Sequence, residues 1–118
     1  MFDNNAKRLA CLIKGRQLSS FEATEFFIDR IEAHNDSINA VIAERFSDAL
    51  IEARLADDKV RRREILGPLH GVPMTIKDAF EVTGLTCEVG YPAFKGRVSQ
   101  TDALVVQRLR AAGAIILG

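Results

Sequence analysis

One lysine stands where a short apolar strand is predicted to end, and this position could give its amine a chemical role. Lys77 lies in the segment Gly67–Asp78, which reads GPLHGVPMTIKD. Two prolines and two glycines within seven residues exclude a helix, because proline lacks the amide donor and fixes its own φ. From Val72 onward every second residue is apolar, and Lys77 falls on the opposite face. Burial would favour the neutral amine, which can accept a proton.

Other interpretations of Lys77 remain open at this point. Most lysines lie at the surface, with the amine in water or paired with a carboxylate. A lysine can also form a Schiff base with a carbonyl substrate. Asp78 is adjacent but points to the other face of the strand, so we predict that it caps a turn and does not pair with Lys77.

The remaining reactive side chains do not form a recognisable site. Neither His34 nor His70 has a cysteine or second histidine at metal-ligand spacing, so no zinc site is predicted. Cys11 and Cys87 make no disulfide framework, which favours a reducing cytoplasm. Cys87 has no neighbouring histidine or lysine to activate its thiol. The glycines match neither the dinucleotide fingerprint nor the P-loop.

Composition indicates one soluble globular domain. The 118 residues are 47% hydrophobic and carry sixteen basic and sixteen acidic side chains, so the formal net charge is zero. This balance gives no electrostatic attraction to nucleic acid or to an anionic membrane. The run Arg61–Arg63 is predicted to be a solvated helix end. The N-terminus is too polar for a signal peptide, and no apolar run reaches membrane length.

The first 66 residues are predicted to be mostly helical, because all three prolines and seven of the eight glycines follow Leu66. Helices are predicted at 4–14, 19–34 and 46–63, with a brief strand at 38–42. Gly15 is expected to end the first helix, while Ser19 and Glu22 match a capping box that begins the second. The residues expected to face the core are Ala23, Phe27 and Ile31 on the second helix and Phe46, Ala49, Leu50, Ala53 and Leu55 on the third.

The second half is predicted to contain a strand, a loop, a helix and a strand. The elements are a strand at 72–78, a loop to residue 98, a helix with buried Val105, Leu109 and Ala112, and a strand at 114–117. Thr101 or Asp102 is expected to cap the helix, and Gly113 to end it. The last strand is apolar throughout, as in a parallel or mixed sheet covered by helices. Because it comes one residue before the end of the sequence, we expect the chain to be the front part of a longer protein.

Two segments together resemble a known enzyme family. Gly71–Asp78 (GVPMTIKD) is similar to the N-terminal hallmark of the amidase-signature enzymes, and Thr101–Gly118 is similar to the segment that follows it there. Weaker similarities occur at Leu18–Ser20, Arg30–Ile31 and Ile38–Ala40. The resemblance therefore covers nearly the whole chain, with its two long matches in the family's order.

The resemblance implies an α/β fold in which N-terminal helices are followed by the first strands of a mixed sheet. Residues 1–118 would form the N-terminal part of a single amidase-signature domain, with 1–66 mostly helical and 67–118 containing strand, loop, helix and strand. The family hydrolyses or transfers amides through a Ser–cis-Ser–Lys triad, and Lys77 takes the position of the catalytic lysine. Both serines would lie further along, so the chain is expected to be inactive by itself.

The resemblance also implies the partners of the reaction. A small-molecule amide would be the substrate, with no metal or organic cofactor. The balanced charge and the lack of a long apolar run are what argue against direct contact with nucleic acid and against a membrane. A homodimer of the full-length enzyme is compatible with the resemblance. Relatives usually have small residues and Gly-Ser after the position of Thr86, whereas Cys87–Tyr91 (CEVGY) stands here.

Two alternatives to a free amidase stay open. One is the amidotransferase subunit of the same family that passes glutamine-derived ammonia to a charged tRNA. The other is a truncated, non-catalytic relative that serves as a binding domain.

Overall fold

Two short parallel strands lie at the centre of the fold, with helices packed on both faces. The structure is a computed structural model in which residues 5–64 and 66–118 are described. In chain order the elements are α1 (Ala6–Lys14), α2 (Ser20–Ile38), α3 (Phe46–Arg61), β1 (Pro73–Met74), α4 (Leu104–Ala111) and β2 (Ile115–Ile116). The long loop between β1 and α4 contains a 3-10 turn at Pro92–Phe94. This order agrees with the α/β class predicted from the sequence.

The two strands pair in parallel, with Pro73 opposite Ile115 and Met74 opposite Ile116. The carbonyl of Val72 accepts from the amide of Ile115 at 2.9 Å, and that of Met74 accepts from Leu117 at 2.8 Å. Pro73 has no amide to donate, but its nitrogen falls on the side of β1 that faces away from β2. The proline therefore removes no hydrogen bond from this pair of strands.

Alternate side chains of β2 reach opposite layers of the molecule. Ile115 and Leu117 pack with Ile28 of α2 and Ala49 of α3. Ile116 points the other way and packs with Val106 of α4 and with Val82 in the loop after β1. The prediction of a last strand buried on both faces is confirmed, and each buried isoleucine contributes about 1.5–3 kcal/mol.

Capping explains where α2 begins. The Ser19 hydroxyl accepts from the Glu22 amide at 3.0 Å, and the Glu22 carboxylate accepts from the Ser19 amide at 2.9 Å. The predicted capping box is confirmed, and the backbone hydrogen bond from Ser19, followed by the one from its hydroxyl, lowers the pKa of Glu22. The Asp57 carboxylate of α3 accepts from the next two amides, those of Ser20 and Phe21, at 2.7 and 3.0 Å. The N-terminus of α2 is thus fastened to α3.

The predicted strand at 38–42 is wrong. Helix α2 continues to Ile38 and ends at Asn39, which has a left-handed φ of 46°. Both backbone groups of Val41 are bonded to the side chain of Asn35, the carbonyl at 2.8 Å and the amide at 2.9 Å. The Asn35 side chain thus makes the hydrogen bonds that a neighbouring strand would otherwise make. The spacing of apolar residues does not reveal such a contact.

Two predicted core positions are wrong because a helix buries only one stripe. Leu55 is 56% exposed, whereas α3 buries Ala49, Ala53, Ala56 and Val60 at spacings of three and four residues. On α4 the fully buried residue is Val106, and Val105 is 41% exposed. Leu109 and Ala112 are half-buried.

The predicted cap of α4 is also wrong. Helix α4 begins after Ala103 without a side-chain cap. The carboxylate of Asp102 binds the Thr83 amide at 2.7 Å instead, and it pairs with Arg110 at 2.9 Å. Gly113 ends the helix with a left-handed φ of 93°, as predicted.

Strand β1 is shorter than the predicted 72–78. The amide of Ile76 donates to Gly118, not to Leu117, at 2.8 Å. The carbonyl of Leu117 accepts from the amide of Arg45 at 2.9 Å, and the regular ladder ends after Met74.

Gly71 precedes β1 in a conformation and a space that both require glycine. Its φ is 74°, and a Cβ there would lie 2.8 Å from Cβ of Ser20 on α2. Gly96 has almost the same φ, 75°, but a Cβ there would meet no atom within 4 Å.

We expect Gly71→Ala to destabilise the fold more than Gly96→Ala. The left-handed backbone costs both alanines about 1–2 kcal/mol. The overlap with Ser20 adds about 1–3 kcal/mol at position 71 alone. Denaturant titration of both variants measures the difference in free energy of unfolding, and equal losses would contradict the close approach of α2 to Gly71.

Candidate functional site

A cavity of about 370 Å³ opens at the carboxyl end of β1, where Lys77 lies. Its walls are the segment 75–78 that follows β1, the segment 40–43, the loop residues Phe80, Val82, Leu85 and Thr86, and Gly118 after β2. The carboxyl ends of parallel strands are where ligands bind in open α/β sheets. The cavity is therefore the candidate site.

The backbone on either side of Lys77 is held by hydrogen bonds. The Ile76 amide donates to the carbonyl of Gly118 at 2.8 Å, and the carbonyl of Lys77 accepts from the Phe80 amide at 3.0 Å. Val72 is buried, Met74 and Ile76 are half-buried, and Thr75 and Lys77 are exposed, so the predicted alternation is present in this order. Lys77 lines the cavity and is exposed, so the described residues do not supply the burial that would favour a neutral amine.

The segment from Ala40 to Ala43 forms one wall of the cavity that Lys77 also lines. It is fixed by the two hydrogen bonds between Asn35 and Val41, at 2.8 and 2.9 Å. It also approaches β2 so closely that a Cβ at Gly118 would lie 2.3 Å from the carbonyl oxygen of Ala43. Sequence reasoning missed this wall, because the apolar pattern at 38–42 favours a strand.

Asp78 caps a turn, as predicted. One oxygen of its carboxylate accepts from the Glu88 amide at 3.0 Å, and the other accepts from the Val89 amide at 2.9 Å. These bonds join the strand end to the loop after Thr86. Val89 has a φ of 48°, a left-handed value that costs a β-branched residue about 1–3 kcal/mol. The two bonds to Asp78 offset this cost.

Cys87 is not positioned as a nucleophile. The residue is 3% exposed, and its Sγ lies 3.5 Å from the carbonyl oxygen of Asp78. Burial, followed by the negative charge of Asp78, raises the pKa of the thiol. A raised pKa leaves less thiolate, which is the reactive form.

His70 has a structural partner. Its side chain is buried, and Nε2 lies 2.9 Å from the carbonyl oxygen of Ala56 in α3. His34 lies on α2, well away in sequence. Over residues 5–64 and 66–118, no three histidine, cysteine or acidic side chains are grouped so that they could hold a metal ion. In the same ranges, no helix combines the length and the apolar character needed to cross a bilayer.

Arg45 clamps the end of β2 that borders the cavity. Its amide donates to Leu117 at 2.9 Å, and its Nη1 donates to the carbonyl of Ile116 at 3.0 Å. The guanidinium also binds both carboxylate oxygens of Glu52 on α3, at 3.2 and 2.6 Å. The hydrogen bond with Glu52 outweighs burial and raises the pKa of Arg45. Nothing in the sequence pattern pointed to this arginine.

A second arginine continues this ionic network to α4. Arg110 lies 3.5 Å from Glu52 and 2.9 Å from Asp102. Burial by itself raises the pKa of Asp102, but the hydrogen bonds from Thr83 and the charge of Arg110 together outweigh it and lower this pKa. The network thus joins α3, α4 and the loop at Thr83 around β2.

Comparison with known proteins identifies the family. The family model described as amidase matches residues 22–118. The chain is 38% identical over 113 residues to a glutamyl-tRNA(Gln) amidotransferase subunit of Streptomyces coelicolor, covering 96% of this chain and 23% of the relative. It is 38% identical over 109 residues to indoleacetamide hydrolase of Bradyrhizobium diazoefficiens, covering 92% of this chain and 21% of the relative.

Solved structures agree with the sequence comparisons. The native peptide amidase from Stenotrophomonas maltophilia superposes with a TM-score of 0.88 and 33% identity, covering 98% of this chain and 24% of that one. The chain therefore belongs to the amidase family, whose members include the amidase-signature enzymes. It spans about a quarter of the length of the curated relatives it matches.

The ionic network predicts a pH dependence of stability. Because folding lowers the pKa of Asp102, its stabilising effect is complete above the unfolded value of about 3.9 and is lost as the pH falls through the lower folded value. We expect Asp102→Asn to lower the free energy of unfolding by about 1–3 kcal/mol at pH 7. The difference from wild type should shrink below about pH 4.

Chemical denaturation between pH 3 and pH 7 tests this expectation. Asp36→Asn is the control, since Asp36 is exposed on α2, outside the network. A deficit of the Asp102 variant that stays constant over this range would contradict the role of the carboxylate charge.

Proposed function

We propose that this chain is the lysine-bearing part of an amide hydrolase, in which the Lys77 amine acts as the proton acceptor. The observation that carries the proposal is the position of Lys77 at the carboxyl end of β1, on the wall of the cavity. The chain around it is superposable on an amidase of known structure. The match of Gly71–Asp78 to the family hallmark supports the same residue.

The proposed reaction proceeds through an acyl-enzyme. The neutral amine of Lys77 takes a proton from a bridging serine, which takes one from the nucleophilic serine. The nucleophile attacks the amide carbonyl, and the C–N bond breaks as the leaving nitrogen receives the proton. Water then hydrolyses the ester to give the carboxylic acid and the free serine. Backbone amides would hold the oxyanion.

Both serines and the dry surroundings of the amine lie outside these 118 residues in this proposal. The exposure of Lys77 is consistent with it, because an open cavity wall is the surface that further chain would cover. Removal of water from a lysine favours its neutral form, which is the form that accepts a proton. The test therefore needs a polypeptide that also contains the two serines.

We expect Lys77→Ala and Lys77→Arg each to lower kcat/KM for amide hydrolysis by at least about 100-fold. The arginine variant keeps the charge but does not lose a proton at neutral pH, so it separates proton transfer from charge stabilisation. The measurement uses a chimera in which residues 1–118 replace the matching part of the Stenotrophomonas maltophilia peptide amidase. Ammonia release from N-acetyl-phenylalanine amide is followed.

Lys7→Ala is the control for this experiment, because Lys7 is exposed in the first turn of α1, outside the cavity. It should retain the activity of the parent chimera within about twofold. A loss of only a few-fold in Lys77→Ala, with an intact fold, would refute the proposed role. Full activity in Lys77→Arg would mean that Lys77 stabilises charge and does not transfer a proton.

An amidotransferase component is a second candidate function, and a specific observation favours it. Four curated relatives that are 34–41% identical are named as subunits of glutamyl-tRNA(Gln) amidotransferase. In this case the amide substrate would be glutamine, and the released ammonia would pass to a charged tRNA.

The full-length protein distinguishes the two candidates. An amidotransferase subunit should hydrolyse glutamine faster when partner subunits and glutamyl-tRNA(Gln) are added. A free amidase should hydrolyse simple amides at a rate that neither addition changes. Ammonia release under both conditions gives the answer.

A further inference from the structure

We propose that Asp78 is a positioning residue of the amide-hydrolysing site. Its carboxylate fastens the strand end that carries Lys77 to the loop Leu85–Val89, and so fixes the amine relative to the cavity wall. This inference rests on the proposed function of Lys77. Asp78 lines the cavity beside Lys77, and the proposed role is exerted through Lys77, not on the reacting atoms.

The tie is made by both oxygens of one carboxylate. They accept separately from two consecutive amides, those of Glu88 and Val89, at 3.0 and 2.9 Å. Two charge-assisted bonds to neighbouring amides restrain both distance and rotation, which a single bond cannot do. Val89, one of the two donors, has a left-handed φ of 48°. The loop is therefore shaped around the side chain of Asp78.

The loop is internally braced, so a restraint at Glu88 and Val89 is transmitted to the cavity. Thr86 pairs with Val98 in an antiparallel bridge, and the Ser99 amide donates to Leu85 at 2.9 Å. The carboxylate of Glu88 accepts from the Gly96 amide at 2.7 Å. Leu85 and Thr86 belong to this braced unit and also line the cavity beside Lys77.

Asp78 links the segment that carries Lys77 directly to the loop Leu85–Val89. It is bonded covalently to Lys77, so a restraint on its carboxylate also limits the movement of the peptide that orients the lysine. The Lys77 carbonyl is held by the Phe80 amide at 3.0 Å, and the Asp78 carbonyl lies 3.5 Å from Sγ of Cys87. Without the carboxylate, the loop would be held to this segment, among the described residues, only by the contact of Cys87 with the Asp78 carbonyl and by the packing of Leu85 and Ile76 in one apolar cluster.

The test is a double-mutant cycle in the chimera. Asp78→Ala should lower kcat by about 30-fold, since a displacement of about 1 Å can cost 100-fold. Asp78→Asn keeps one acceptor oxygen and should lose about fivefold. In a Lys77→Ala background, Asp78→Ala should cost less than about threefold, because a residue that acts through Lys77 has nothing left to position.

Glu81→Gln is the matched control. It removes the ion pair with Arg97 on the same loop, leaves the Glu88 and Val89 amides untouched and lies outside the cavity wall. It should change kcat by less than about twofold. Additive losses in the cycle, or full activity in Asp78→Ala, would overturn the positioning role.

Hydrogen exchange tests the two hydrogen bonds to the Asp78 carboxylate independently of activity. Exchange at the Glu88 and Val89 amides should become faster in Asp78→Ala and Asp78→Asn, but not in Glu81→Gln. Unchanged protection would overturn the inference even if activity fell. An active Lys77→Ala chimera would refute both the proposed function and the positioning role. If Lys77→Ala is inactive but Asp78→Ala keeps full activity, the positioning role alone is refuted.

Discussion

The clamp between Arg45 and the end of β2 is the interaction on which the arrangement of the site depends. Two consecutive carbonyls at the end of β2, those of Ile116 and of Leu117 just after it, are held by the side chain and the amide of Arg45. The guanidinium is in turn held by Glu52 of α3. The pair is partly exposed, and each charge has a second partner, Asp48 for Arg45 and Arg110 for Glu52, so the pair orients the guanidinium more than it adds stability. The clamp therefore fixes β2 against α3.

The geometry of the cavity follows from this clamp. The Leu117 carbonyl accepts from Arg45 and the Ile76 amide bonds to Gly118, so the chain leaves the regular ladder just before Lys77. The backbone that follows Gly71 also depends on α2, since Ser20 Oγ donates to the Gly71 carbonyl at 2.8 Å. Lys77 is thus positioned from both ends by elements that are distant in sequence.

Local patterns predict the elements that depend on neighbouring residues. The capping box of Ser19 and Glu22, the helix end at Gly113 and the buried last strand are all confirmed, because each is decided within a few residues. The strand predicted at 38–42 is wrong, because the Asn35 side chain satisfies the backbone of Val41. The cap predicted at Asp102 is also wrong, because its carboxylate binds Thr83 and Arg110.

The sequence by itself determined the family, the α/β class and the placing of one lysine at a strand end, since these depend on residue type, order and spacing. Tertiary structure decided which surfaces surround that lysine. The wall at 40–43, the arginine clamp and the tie from Asp78 to Glu88 and Val89 join residues far apart in the chain or bond side chain to backbone. Such contacts depend on which residues lie close together in the folded chain and on which buried polar groups need a hydrogen-bond partner. The spacing of apolar residues in the sequence indicates neither.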